Sequence, residues 1–292
     1  MRWLHVVVVV LVLAGACTAS FAELRKGKLA GRILDGKLAP LGGGTVFLFS
    51  STVGPPPAPE HYWRIPDELV SLDGEGRFSI ELMPGSYYIG AIRRATGQDL
   101  GPPRGGDLFI VGRDSFGAPS SYTVRAGETT DIGILAGAKP FDRAMAEPRP
   151  GTSGIEGVIL DPDGKPVPGV YVFAFTTSAM LGRPLFVSEK SGPDGRYLLR
   201  VAAGGTYYLK ARDTCGGGAP LPGAILGGHG EEDPYPVIVN GGIVTRGVTV
   251  KSFTAPQRGR KKDQKMAEKG LKNAPGVTGP LSEKWKILPK GN

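Results

Sequence analysis

Two reactive residue types are nearly missing from this 292-residue chain: cysteine occurs twice and histidine three times. Cys17 lies in an N-terminal segment and Cys215 stands alone in "DTCGGG". No internal disulfide framework, CxxC zinc or redox pair, or haem-attachment motif can be built from them. Beyond the N-terminal segment the only histidines are His61 and His229, far apart and without the H-x-x-E or H-E-x-x-H spacing of a zinc peptidase. A G-x-S-x-G elbow and a phosphate-binding P-loop are also absent. The longest apolar run, Leu4 to Leu13, interrupted only by His5, is too short for a membrane span of roughly 20 residues. No amphipathic helix pattern of useful length precedes the last forty or so residues. These absences point away from metal, nucleophilic and nucleotide chemistry, and the chain is read as not an enzyme, with no metal and no cofactor.

The short apolar run has another meaning. Met1-Arg2 precedes it and small residues follow, as in a secretory signal peptide. One cut falls after Ala22, giving residues 1–22 as signal. The other reading takes Ala14-Gly15-Ala16-Cys17 as lipobox-like, with Cys17 lipidated. Both stay open, and both imply an exported protein: periplasmic, outer-membrane-anchored through Cys17, or extracellular.

Glycine and proline are abundant, 46 and 26 residues, together about a quarter of the chain. They punctuate short apolar runs, as in turn-rich all-β proteins. "PGSYYIGA" (84–91) and "GGTYYLKA" (204–211) are nearly the same, and the likeness extends. "GRILDGKLAPLGGGTVFLFS" (31–50) aligns with "GVILDPDGKPVPGVYVFAFT" (157–176), and "DGEGRFSIEL" (73–82) with "SGPDGRYLLRV" (191–201). "VRAGETTDIGIL" (124–135) follows the first copy as "IVNGGIVTRGVTV" (238–250) follows the second. "TVFLF" and "VYVFAF" are β-branched and aromatic, while "GRFSIEL" and "GRYLLRV" alternate, so all four read as strands. The domains expected are a β-sandwich over 23–137, a linker over 138–153, a second sandwich over 154–253 and a tail over 254–292.

These landmarks resemble the carboxypeptidase regulatory-like domain, a transthyretin-like or carbohydrate-binding-like β-sandwich. The second copy carries the pattern in Gly157, Val158, Asp161, Gly164, Pro166, Val167, Gly169, Val172, Asp194, Gly195, Tyr197, Gly205 and Tyr207. The first carries Gly31, Asp35, Gly36, Pro40, Gly76, Phe78, Pro84, Gly85 and Tyr87, with a first turn read as shortened. The resemblance implies two tandem Greek-key sandwiches in a bacterial envelope protein and no particular activity, since that domain serves unrelated proteins. Intradiol dioxygenases resemble this fold too, but their closely spaced His pair is missing here.

Candidate binding residues lie where the copies differ. The first copy carries an insert, "VGPPPAPEHYWRIP" (53–66), in which His61, Tyr62, Trp63 and Arg64 are of the types that anchor interfaces or stack on sugars. The competing reading has Tyr62 and Trp63 covering the edge of the first sandwich. The second copy carries "GGHGEEDPYP" (227–236), whose His229, Glu231, Glu232 and Asp233 are either an acidic or metal-binding patch or a solvated loop. Cys215 is either a small loop residue or a reactive or intermolecular thiol.

From Gln257 onward ten basic residues face three acidic ones, a net of +7 that accounts for nearly all of the chain's formal +8. Arg258, Arg260, Lys261, Lys262 and Lys265 head this tail, which is expected to be solvated and to attract an anionic surface or protein. The function expected is a non-catalytic envelope element for protein interaction or scaffolding. A carbohydrate-binding module is the alternative, and a metal-dependent enzyme around His229 a third reading. Partners expected are another envelope protein or a glycan, not nucleic acid.

Overall fold

A computed structural model describes residues 25–97 and 100–256. The N-terminal segment with Cys17 and the tail with Arg258, Arg260, Lys261, Lys262 and Lys265 lie outside the described residues. The chain is all-β, built as two successive β-sandwich units. The first contains β1 (Gly27–Asp35), β2 (Thr45–Ser50), β4 (Glu68–Ser71), β5 (Arg77–Leu82), β6 (Gly85–Arg93), β7 (Leu108–Val111), β8 (Ser121–Val124) and β9 (Thr129–Pro140), while β3 (Trp63–Arg64), from the same stretch of chain, joins the sheet of the second. The second contains β10 (Ser153–Leu160), β11 (Tyr171–Phe175), β12 (Phe186–Val187), β13 (Arg196–Val201), β14 (Gly205–Arg212), β15 (Ile225–Gly228), β16 (Val237–Val239) and β17 (Val244–Thr254). A 3₁₀ turn over Arg143–Ala146, capped by the Asp142 carboxylate, lies between them.

The two units repeat one topology. Strands pair in the order β4-β2-β6-β7-β9-β1-β5 in the first, with β8 also on β6. In the second the order is β13-β10-β17-β15-β14-β11-β12, with β16 also on β14. In each the first long strand lies parallel to the last, β1 to β9 and β10 to β17, and antiparallel to the strand after the "G-R-F/Y" turn. The cores match as well. Leu29, Ile33, Val46, Leu48, Phe78, Tyr87 and Ile89 fill one; Ile155, Ile159, Val172, Tyr197, Tyr207 and Leu209 fill the other.

Local chemistry explains why the sequence repeat becomes a structural one. Asp35 Oδ1 accepts N–H bonds from Lys37 and Ala39 (2.8 and 2.9 Å), and Asp161 Oδ1 from Asp163 and Lys165 (2.9 and 2.8 Å). Each carboxylate thereby closes its own turn. The turns have equal length, with bridges Leu34–Pro40 and Leu160–Pro166. The first turn is therefore not shortened. It lacks only the glycine, because Leu38 occupies the left-handed position (φ 63°) that Gly164 takes in the second copy (φ 77°). The duplicated tyrosines also match. Tyr87 donates from its hydroxyl to the Met83 carbonyl (2.8 Å), and Tyr207 to the Ala203 carbonyl (2.9 Å). Each buried ring thus satisfies its polar tip by pinning the turn that precedes its strand.

Leu38 is exposed, so replacing it loses little burial. A left-handed non-glycine costs about 1–2 kcal/mol, partly offset by the extra freedom glycine gives the unfolded chain. Leu38→Gly is expected to raise stability by about 0.5–1 kcal/mol, seen as a higher urea midpoint with an unchanged slope. A lower midpoint would mean that the turn is not strained at Leu38.

Candidate functional site

Alternate residues of a strand face opposite sides of its sheet. In β2, Val46 and Leu48 enter the core, which sends Phe47 and Phe49 outward. In β11, Val172 and Ala174 enter the core, which sends Tyr171, Phe173 and Phe175 outward. Phe47 and Phe49 are equivalent to Phe173 and Phe175 in the aligned copies, and these four rings line one cleft of about 640 Å³ between the two sandwiches. The neighbouring strands contribute a matched pair with different chemistry. Gly90 of β6 lies opposite Phe47, and Lys210 of β14 lies opposite Phe173. Both face the cleft. They occupy the same place in "PGSYYIGA" and "GGTYYLKA": one copy leaves space there and the other supplies a cation.

The insert of the first copy holds the walls in place. It leaves the first sandwich and adds β3 to the sheet edge of the second, pairing Trp63 with Val187 and Arg64 with Phe186. The Ile65 N–H extends the ladder to the Leu185 carbonyl (3.0 Å). Tyr62 enters the second core, 5.3 Å edge-on from Phe186, with its hydroxyl on the Pro56 carbonyl (2.7 Å). Trp63 sits edge-on to Phe109 (6.2 Å) and Phe141 (5.7 Å), and the Arg200 guanidinium lies 5.8 Å from its ring centre. Arg64 ties the insert's base. It donates to the carbonyls of Pro55 (2.8 Å) and Ser50 (2.9 Å) and to Asp67 (2.7 Å). Burial pulls its pKa down while Asp67 opposes that shift.

The cleft is apolar with an uneven charge. Arg64 is neutralised by Asp67, and Arg183 faces Glu68 at 3.8 Å. Lys210 and Arg212 have no carboxylate partner among the described residues. Lys210 Nζ donates to the Met180 carbonyl (3.1 Å) and lies 5.3 Å from the centre of the Phe175 ring. Arg212 reaches the Gly216 and Gly218 carbonyls only at 3.4 and 3.5 Å, and its Nε is buried without a partner. Cys215 forms part of the wall, and burial pushes its thiol pKa up to about 12, so it is a neutral thiol rather than a thiolate. Beside the cleft, Asp107 is buried with Arg94 (2.7 Å). Burial alone would raise the Asp107 pKa, but N–H bonds from Arg104 and Ala95 together with the Arg94 guanidinium hold it below the usual carboxylate value.

The residues singled out from sequence thus have different fates. Tyr62, Trp63 and Arg64 are buried: Tyr62 packs in the second core, Trp63 lies between Phe109 of the first unit and the β12 edge of the second, and the Arg64 side chain stays on the first unit while its backbone pairs with the second. His61 is partly buried in the same insert, and its neighbour Glu60 pairs with Arg113 (2.9 Å). Trp63 is 7% exposed and has the Arg200 guanidinium over its ring, so it is not an exposed platform for a sugar. His229 Nδ1 donates to the Thr249 carbonyl (2.8 Å), and its ring stands edge-on to Tyr235 at 5.8 Å. Glu231 pairs with Lys251, while Glu232 and Asp233 are exposed. Among the described residues no three His, Cys, Asp or Glu side chains converge as metal ligands. Sequence reasoning passed over the outward rings of β2 and β11 and the cations Lys210 and Arg212. Their signal was present: both strands are apolar on both faces, which marks a strand covered on both sides.

No protein-family model matches the chain, and no curated protein matches it. The carboxypeptidase regulatory-like resemblance therefore stands on motif positions alone. Among solved structures, the chain is similar to the TIE protein of Bacillus anthracis, with 15% identity and a TM-score of 0.25 over 78% of this chain and 34% of that one. It is also similar to a streptococcal ancillary pilin, with 14% identity and a TM-score of 0.24 over 79% and 63%. The full-length major pilin RrgB of Streptococcus pneumoniae gives 12% identity and a TM-score of 0.22 over 80% and 49%. The chain spans less than two thirds of the length of each of these three. TM-scores this low assign neither chain trace nor function.

Two outcomes follow from the clamp and the buried thiol. Tyr62→Ala is expected to destabilise the second sandwich by about 3–5 kcal/mol, the cost of deleting a buried aromatic ring, although Tyr62 belongs to the insert of the first copy. Hydrogen exchange read on β12 and β13 checks this, and unchanged protection there would contradict the clamp. At pH 8 the Cys215 peptide is expected to escape alkylation by iodoacetamide in the folded protein and to react fully in denaturant, as located by mass spectrometry. Fast labelling without denaturant would contradict the buried, neutral thiol.

Proposed function

We propose that this chain is a non-catalytic, exported protein of the bacterial cell envelope, whose two β-sandwiches form a scaffold for another envelope protein. The observation that carries this reading is the clamp: one module donates a strand and two buried aromatic side chains to the other. Domains within a chain ordinarily move against each other, through modest and polar contacts. Here the added strand and the aromatic seam favour a fixed spacing between the modules, which is what a scaffold needs. The basic tail supplies the attraction to an acidic partner, and the N-terminal segment supplies export, with or without a lipid on Cys17. Among the described residues no helix is long and apolar enough to cross a membrane.

The test is a crosslinked pull-down from the native envelope with the full chain and with a variant lacking residues 257–292. The full chain is expected to capture a defined protein partner. Removal of the tail is expected to leave the thermal midpoint unchanged and to abolish a capture that also weakens with added salt. Capture that is indifferent to both the tail and salt would overturn the role given to the tail. No partner above a tag-only control would overturn the scaffold reading.

A further inference from the structure

We propose that the cleft between the sandwiches is a binding site for an amphiphilic carboxylate, a long-chain fatty acid in chemical class, with its head on Lys210 and Arg212 and its hydrocarbon body between the outward rings of β2 and β11. This goes beyond the scaffolding role and does not depend on it.

The size fits first. A volume of about 640 Å³ lies within the range of roughly 300–1,000 Å³ that small-molecule sites occupy, and such sites favour the seams between domains. The walls select the body. Phe47, Phe49, Phe109, Phe173 and Phe175 line the cleft from both modules. The aromatic walls are sheet faces, whose backbone N–H and C=O groups are already paired within their sheets, while loops close the rim of the cleft. A peptide laid in the cleft would bring polar backbone groups that find few partners there, which is costly. A hydrocarbon brings none.

The charge selects the head. Lys210 and Arg212 stand two residues apart on one face of β14, about 7 Å along the strand. Every other charged group lining the cleft is paired: Arg64 with Asp67 and Arg183 with Glu68. The two cations have only backbone carbonyls and the Phe175 ring for company, and the buried Arg212 Nε has no partner. A half-buried pair of cations beside an apolar wall is completed by an anion that carries its own apolar surface. The chain's own tail is unsuited to this place, because its net charge of +7 has the same sign as the site. The two copies divide the work at one register position: Gly90 clears space for the body where Lys210 supplies charge for the head.

The experiment is calorimetric titration of the full chain with oleate below its aggregation concentration, and with oleyl alcohol as the same body without the charge. Saturable one-to-one binding of oleate is expected, with oleyl alcohol weaker. Lys210→Met keeps the apolar stem and removes the charge. It is expected to weaken oleate by about tenfold, to leave oleyl alcohol unchanged and to leave the thermal midpoint where it was, while Lys210→Arg restores oleate binding. Absence of saturable oleate binding would overturn the proposal. So would equal affinity of oleate for the wild type and for Lys210→Met, or equal affinity of the wild type for oleate and oleyl alcohol. A blank titration leaves the pull-down result untouched, so this proposal and the scaffold reading fail separately.

Discussion

The backbone pairing of Trp63 and Arg64 with the edge of the second sandwich is the constraint on which the rest of the molecule depends. An open sheet edge offers unpaired N–H and C=O groups, and a strand laid on it gains direction and register at once. Tyr62 on one side of that strand enters the second core, and Trp63 beside it joins the rings of Phe109 and Phe141. Side-chain packing alone would fix the distance between modules but allow them to slide. The ladder fixes the register as well. Without it, the outward rings of β2 and β11 would form two exposed apolar faces, the kind of surface that invites association.

Much of the fold is legible in the sequence, and the reason is local. Asp35, Asp161, Gly76 and Gly195 act through turns of four or five residues, and Tyr87 and Tyr207 act on carbonyls four residues back. Chemistry at that range leaves a pattern that recurs wherever the turn recurs, so two copies of the pattern imply two copies of the unit. Leu38 marks the limit of such reasoning. The alignment places it opposite Gly164, yet a leucine there does not advertise a left-handed turn, and the first copy reads as shortened when its geometry is the same.

The site was far less legible, because its parts are brought together by contacts more than a hundred residues apart in the chain. The insert announced itself by composition, and its side chains were picked out by type, but nothing in "PPPAPEHYWRIP" names β12 as its destination. The rings of "TVFLF" and "VYVFAF" were read for strand propensity alone. Their lack of alternation carried the further information that both faces of each strand are covered. The histidine loop drew attention for residue types that attract metals, whereas its geometry gives His229 to a backbone carbonyl and Glu231 to Lys251.

Duplication explains why the two walls of the cleft match, and one substitution explains why its charge does not. Two copies of one sandwich carry the same outward rings, so Phe47 and Phe49 line the same cleft as their counterparts Phe173 and Phe175. The copies differ at one register position: the first has Gly90 and the second Lys210, both facing the cleft. A cation held against aromatic walls is unfavourable unless water or an anion reaches it. The substitution that separates "YYLKA" from "YYIGA" therefore does more than mark divergence of a repeat: it gives the space between two apolar walls a sign.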